Sequence, residues 1–345
     1  MTSLKHNVLA VVATAVFILL AAPQAQATER LTLYCTTQIE WCNLMVEAFE
    51  KETGINVAMS RKSTGETFAQ IKAESRNPKG DVWWGGTGDP HLQAAEEGLT
   101  QAYLSPMREQ LHDWALTQAQ SAGNRTIGIY AGILGYGYNE ELLRKKGLPV
   151  PQCWRDLIKP KYKGEVQMAN PNTSGTAYTT LATIIQLFGE KRGFDFLKAL
   201  HKNINQYTKS GGAPIKAAAR GENTIGIVFM HEIVTQVVNG FPIKVVAPCE
   251  GTGYYIGSMS IIKGARNLES AKKYYDFALR ADIQSRAKEA KAYQILSNKD
   301  AVPSPLSPRL DQINLIDYDF NKYGSSAERK RLLKKWDDEV KSIPR

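Results

Sequence analysis

The sequence predicts an α/β protein of two lobes with a ligand cleft between them. Three observations predict it. Short apolar strands alternate with helical runs in two sets, the first beginning at 31 and the second at 166. A glycine-spaced, β-prone run at 127–138 (IGIYAGILGYGY) stands between the sets and has no helical periodicity. The strand-to-helix junctions are turns of Gly, Ser, Thr and Asn.

In order along the chain, 31–35 (LTLYC) reads as a strand, and an amphipathic helix follows from Ile39 to Thr53, stopped by Gly54. Residues 55–60 read as a strand, 68–75 as a helix, and 81–84 as a buried strand that ends in Gly85-Gly86-Thr87-Gly88-Asp89. Pro90 then opens another helix, where its missing N–H costs nothing. The second set reads as strands at 166–169, 204–207 and 225–229 with helices at 177–188 and 213–220, then strands at 243–247 and 256–262. Charged amphipathic helices are expected at 269–291 and 326–341. The pattern implies a parallel or mostly parallel sheet, with lobe 1 formed by 28–130 and 253–345 and lobe 2 by 131–252.

Composition narrows the class. Of 345 residues, 43 are Lys or Arg and 34 Asp or Glu, and 43 % are hydrophobic, an ordinary globular balance that excludes collagens, coiled coils and disordered chains. Beyond the first thirty residues no apolar run reaches the 18 or so positions of a membrane helix. At the start, Lys5 and His6 precede an apolar run from Val8 to Ala22, and Ala25-Gln26-Ala27 has the small–x–small pattern of a signal-peptidase site. Residues 1–27 therefore read as a signal peptide cleaved after Ala27, which directs the chain to the periplasm. Removing them takes away Lys5 and lowers the formal charge from +9 to +8. In an oxidising compartment Cys35, Cys42, Cys153 and Cys249 read as two structural disulfides. A local Cys35–Cys42 bridge would leave Cys153 with Cys249, although three pairings are possible and the sequence does not choose among them.

The chemistry lies in the turns. Thr36-Thr37-Gln38, Gly85–Gly88, Asn172–Thr176 and Ser210–Gly212 all fall where a strand gives way to a helix, at the carboxyl edge of the proposed sheet. Each such turn offers free N–H groups and the positive end of a helix dipole, together with small hydroxyls, a setting for a phosphate or carboxylate. Met230-His231-Glu232 follows the strand at 225–229 and supplies polar groups at the same edge. Tyr254-Tyr255 could give oxygen ligands to ferric iron or pack as aromatics at the hinge. No G-x-S-x-G elbow and no metal-ligand spacing of histidines occurs. An exported chain whose basic C-terminal run, Arg329–Lys335 alternating with Leu332, Leu333 and Trp336, forms no interleaved aromatic platform is not expected to bind nucleic acid.

The segments LTLYCTTQ, GDVWWGGTGDP, ANPNTSGTAYT and EGTGYYIGSMSIIKGARN resemble those of extracellular solute-binding proteins. The likeness covers nearly all of 30–345 and is closest to the ferric-iron or organophosphate-binding branch, receptors of ATP-binding-cassette importers. It implies a two-lobed periplasmic-binding-protein fold of type II character, an inner-membrane permease as partner, and no catalysis. Iron-binding members carry a Tyr-Tyr pair just after the strand that here is 225–229, where this chain has Met230-His231-Glu232. That is similar to the hexose-phosphate-binding relatives, and the likeness assigns Thr37, Thr87, Ser174, Gly175, Thr176, His231 and Glu232 to the pocket. Together with Thr36, Gln38 and Gly88 from the turns, these residues are expected to hold a small anionic solute, a sugar phosphate or phosphonate. The protein is expected to act as a monomer without a cofactor. The alternatives are a receptor with Fe3+ as cargo, bound through Tyr254 and Tyr255, an exported phosphatase-type enzyme using His231 and Glu232, and a sensor that presents the same closed form.

Overall fold

The computed structural model describes residues 29–345, so the expected signal peptide lies outside the described residues. Eleven strands are named in chain order: β1 (Arg30–Cys35), β2 (Asn56–Arg61), β3 (Val82–Thr87), β4 (Thr100–Gln101), β5 (Ile127–Asn139), β6 (Val166–Ala169), β7 (Ile204–Thr208), β8 (Ile225–Phe229), β9 (Ile243–Val246), β10 (Tyr254–Ile262) and β11 (Ile295–Leu296). The helices are α1 (Ile39–Thr53), α2 (Thr64–Ala73), α3 (Gly88–Glu96), α4 (Asp113–Ser121), α5 (Glu140–Lys145), α6 (Gly175–Phe188), α7 (Glu190–His201), α8 (Ala213–Ala219), α9 (Met230–Val238), α10 (Leu268–Leu279), α11 (Ala281–Ser285), α12 (Phe320–Tyr323) and α13 (Ser326–Trp336). None of the described helices is long and apolar enough to cross a membrane.

The strand order is β2-β1-β3-β10-β5-β8-β6-β7. The glycine-spaced run expected to cross between lobes is β5, a single strand of 13 residues buried throughout. Its first half pairs with β10 from Ile127 to Ile133, and its second half pairs with β8 and β9 from Leu134 to Asn139. One strand thus belongs to both lobes. Glycines at 128, 132, 135 and 137 suit it, because side chains from α4, α9 and β10 occupy the space a β-carbon would need.

The structure differs from three expectations. The sheet is mixed rather than mostly parallel: β1 pairs in parallel with β2 and β3, and β6 with β7 and β8, but every pairing of β5 and β10 is antiparallel. Each lobe is a parallel βαβ set, and the strands that link the lobes run back against it. Residues 253–345 also do not make contacts with lobe 1 alone. The chain passes the hinge a third time at 314–316, where Thr252 and Ile316 donate N–H groups to Asn314 O and Thr252 O. Beyond that point it contacts both lobes: Arg331 forks onto Glu190 of α7, His201 meets Ile343 O and Trp336 packs edge-on to Tyr207, while Ser326 N donates to Glu96 Oε2 of α3. The helix expected over 269–291 is broken at Arg280 into α10 and α11.

The core runs without a break through both lobes along β5. Trp41 packs against Trp84 and Tyr130 on one side, and Trp154 against Tyr136 on the other, all buried. Burying each such ring contributes roughly 1.5–3 kcal/mol, which makes the hinge region itself part of the most strongly held structure. The disulfides are Cys35–Cys42 and Cys153–Cys249.

Candidate functional site

The parallel strands of both lobes end on one cleft, and helix starts converge on it. Thr36 and Thr37 follow β1, Thr87 closes β3, Ser174, Gly175 and Thr176 open α6, Gly211 and Gly212 precede α8, and His231 and Glu232 open α9. All four turns singled out in the sequence meet there. The cleft is closed, since Gly65 N donates to Thr173 O and Ser63 Oγ to Lys209 O from one lobe to the other, each at 3.2 Å.

Three of the helix starts around the cleft are open for a ligand, whereas that of α2 carries a capping box. The residues that begin α1, α3 and α6 (Gln38, Thr87 and Ser174) place no side-chain oxygen on their own helix N–H groups. The free N–H groups and dipole of such an end favour an anion by about 0.3–1 kcal/mol each, and by up to 2 where partly buried. Thr87 Oγ1 is buried with no partner among the described residues. Gly85 and Gly86 both adopt the left-handed region, with φ of 89° and 82°, and turn the chain so that Thr87 faces the cleft. His91 holds this turn from behind: its ring stacks on Trp83 at 3.6 Å and contacts Gly85 O at 3.0 Å and Ser260 Oγ at 2.8 Å. Burial pushes the His91 pKa down to about 3, so the ring is neutral and supports the turn without a charge.

The sequence reading missed several residues at the site. Arg61, the last residue of β2, donates its Nε–H to Thr37 O at 2.9 Å and lines the cleft, placing a cation beside the helix starts. Ser63 and Thr64 line it as well, because α2 begins at Thr64 and not at Phe68. The Ser63–Glu66 capping box announces that start in the sequence. Tyr130 accepts the Gly86 N–H at 2.7 Å. Tyr255, which the sequence offers as an iron ligand or a hinge aromatic, stacks on Phe229 with ring centroids 4.0 Å apart and adds an aromatic wall.

Two expected residues stand elsewhere. Gln38 is not on the cleft surface, because its Oε1 accepts from Thr37 Oγ1 and from Gln294 Nε2 behind the turn. Gly88 is already inside α3, packed against Ile256 O and Gln118. The tyrosine pair also divides. Successive residues of a strand point to opposite faces, so Tyr255 faces the cleft while Tyr254 packs against Phe320 and Tyr318. They cannot ligate one ion together.

His231 is buried and Glu232 half-buried at the start of α9, with Nε2 and Oε1 4.0 Å apart. Burial lowers the His231 pKa to about 3, so the imidazole is neutral and the contact is not an ion pair. Its Nδ1 has no partner among the described residues. Burial also raises the Glu232 pKa, opposed by Lys216 and Arg61. A neutral imidazole and a carboxylate can share hydroxyl groups of a polyol, the one by donating or accepting and the other by accepting.

A family model described as bacterial extracellular solute-binding protein matches residues 87–322. The chain belongs to that family. An uncharacterized protein of Haemophilus influenzae is 47 % identical to this solute-binding protein over 319 residues, covering 92 % of each chain. Among solved structures, the periplasmic binding protein AfuA from Actinobacillus pleuropneumoniae, with exogenous fructose-6-phosphate bound, is 48 % identical. The match covers 92 % of this chain and 100 % of AfuA, with a TM-score of 0.89. The periplasmic binding protein P5PA is 42 % identical over 90 % of this chain and 99 % of its own, with a TM-score of 0.88.

Proposed function

We propose that this solute-binding protein is the periplasmic receptor of an ATP-binding-cassette importer and that its cargo is a small phosphorylated solute, a sugar phosphate or phosphonate. The observation that carries the reading is the convergence of uncapped helix starts from both lobes, at Thr36–Thr37, Thr87 and Ser174, beside the Arg61 guanidinium. A phosphate group has the charge and the acceptor oxygens to use those donors at once. At the far end His231 and Glu232 take the hydroxyl-bearing part, against the rings of Phe229 and Tyr255. The likeness to AfuA, whose structure has fructose-6-phosphate bound, supports a phosphorylated sugar as cargo.

In this reading the chain is exported, residues 1–27 are removed, and the mature monomer hands its cargo to an inner-membrane permease, binding no nucleic acid. Cargo closes the lobes about β5 and the 252–254 and 314–316 crossings by binding the closed form more tightly than the open one. In this reading the protein needs no cofactor and turns nothing over; Glu232 is the single carboxylate among the described residues that line the cleft. A thermal-shift screen of residues 28–345 with sugar phosphates, phosphonates, inorganic phosphate and ferric citrate tests the proposal. A ligand at a thousandfold excess over Kd stabilises by about 4 kcal/mol, a shift of several degrees. A shift with an organophosphate and none with ferric citrate supports the reading. A shift with ferric citrate alone overturns it.

A further inference from the structure

The helix starts at the cleft are held in different ways. The turn before α2 carries a capping box, in which Glu66 Oε2 accepts the Ser63 N–H at 3.3 Å. The turn before α1 has none, because Gln38 gives its oxygen to Thr37 and Gln294 and leaves the first N–H groups of the helix without a side-chain partner. A Ser or Asp cap would hold the turn but would occupy one of those N–H groups. A covalent link need not. Cys35 is the last residue of β1 and Cys42 the fourth of α1, and Thr36 and Thr37, which line the cleft, lie between them.

We propose that the Cys35–Cys42 disulfide is a positioning element of the cargo site, fastening the turn of Thr36 and Thr37, which line the cleft, where the start of α1 has no side-chain cap to hold it. The proposal rests on the reading of the cleft given above. Both cysteines are fully buried, so the bridge is a permanent fastening and not an exposed redox switch. The Arg61 Nε–H donated to Thr37 O steadies the same turn from the neighbouring strand. The Cys153–Cys249 bridge provides a contrast within the molecule. It ties residues 96 positions apart near Trp154 and Glu250, and neither cysteine lines the cleft. In the chain-entropy account a longer loop contributes more to folding stability, so the two bridges separate stability from positioning.

The test measures Kd for fructose 6-phosphate and the melting temperature of residues 28–345 as wild type, C35A/C42A and C153A/C249A, with hydrogen exchange of 36–42 in the unliganded proteins. The expected result is a Kd at least tenfold weaker for C35A/C42A and within twofold of wild type for C153A/C249A, despite the larger loss of melting temperature in the latter. Exchange accelerates at 36–42 in C35A/C42A alone. Equal Kd losses in both variants, or an unchanged Kd in C35A/C42A, overturn the proposal. Should C35A/C42A fail to fold, C35V/C42A, which fills more of the buried space, serves instead: a Kd at least tenfold weaker with faster exchange at 36–42 supports the proposal, and an unchanged Kd overturns it. If the wild type binds no phosphorylated probe, the functional reading fails, and the exchange of 36–42 alone then decides whether the bridge positions the turn.

Discussion

Gly175, at the start of α6 in one lobe, meets Thr87 Oγ1, at the start of α3 in the other, so closely that a β-carbon at 175 has no room. The two helix starts approach each other across the cleft, and the absence of a side chain at 175 is what lets them.

Gly175→Ala is therefore expected to hold the lobes apart. Overpacking of this kind costs about 1–3 kcal/mol, which predicts a Kd some ten- to a hundredfold weaker. Because the clash arises only on closure, the melting temperature of the unliganded protein should change little. Calorimetric titration beside a melting curve checks both, and unchanged affinity would mean that the closed cleft is not the binding form.

Arg61 is expected to dominate the charge at the anion end. Losing a charge-assisted hydrogen bond costs roughly 1.5–3 kcal/mol, so Arg61→Met should weaken a sugar phosphate about ten- to a hundredfold and make its binding less sensitive to salt. Titrations at low and high ionic strength check this, and retained affinity would place the anion elsewhere.

His231 is expected to shape the pH dependence of stability. Its pKa falls from the usual 6.5 to about 3 on folding, so the unfolded chain binds a proton that the native one refuses. Its contribution is fully present above about pH 6.5 and is lost toward pH 3, at about 1.4 kcal/mol per pH unit. His91 acts in the same direction, with its pKa also lowered to about 3. Asp89, raised by burial to about 6, and Glu232, also raised, act the other way, each losing stability as pH rises through its native pKa. His231→Gln should flatten the acid side of the curve by up to one proton relative to wild type. Denaturant midpoints from pH 4 to 7 measure it, and parallel curves would contradict the buried neutral imidazole.

The tyrosines make a fourth prediction. Tyr254→Phe should leave cargo binding within twofold, since its ring lies against Phe320 on the far side of β10. Tyr255→Leu should weaken binding several-fold by removing the ring stacked on Phe229. The reverse order in titrations would show that the strand presents the other face to the cargo.

Much of this architecture was legible because it is local. The period of each element, the glycine spacing of β5 and the small residues of the junctions are properties of short segments, and they led to four of the turns that meet at the cleft. Arg61 was not legible because it ends a strand with no turn motif, and only its neighbour Thr37 shows what it faces. Ser63 and Thr64 were legible in principle, since the S-x-x-E capping box marks the true start of α2. Gln38 was misplaced because a turn does not reveal which of its side chains points inward, and here Gln294, from 256 residues away, draws it back. Nothing in the local pattern says what α13 packs on, because a charged helix packs wherever its partners lie, and these include Glu190 and Tyr207.

The central claim is that one cleft joins an anion end to a hydroxyl end. Isothermal titration of residues 28–345 with fructose 6-phosphate, fructose and inorganic phosphate tests it most directly. The account predicts that fructose 6-phosphate binds at least about a thousandfold more tightly than either part, a difference of about 4 kcal/mol from joining the two sets of contacts in one molecule. Equal affinity for inorganic phosphate, or no binding of any phosphorylated solute beside binding of ferric ion, would contradict it.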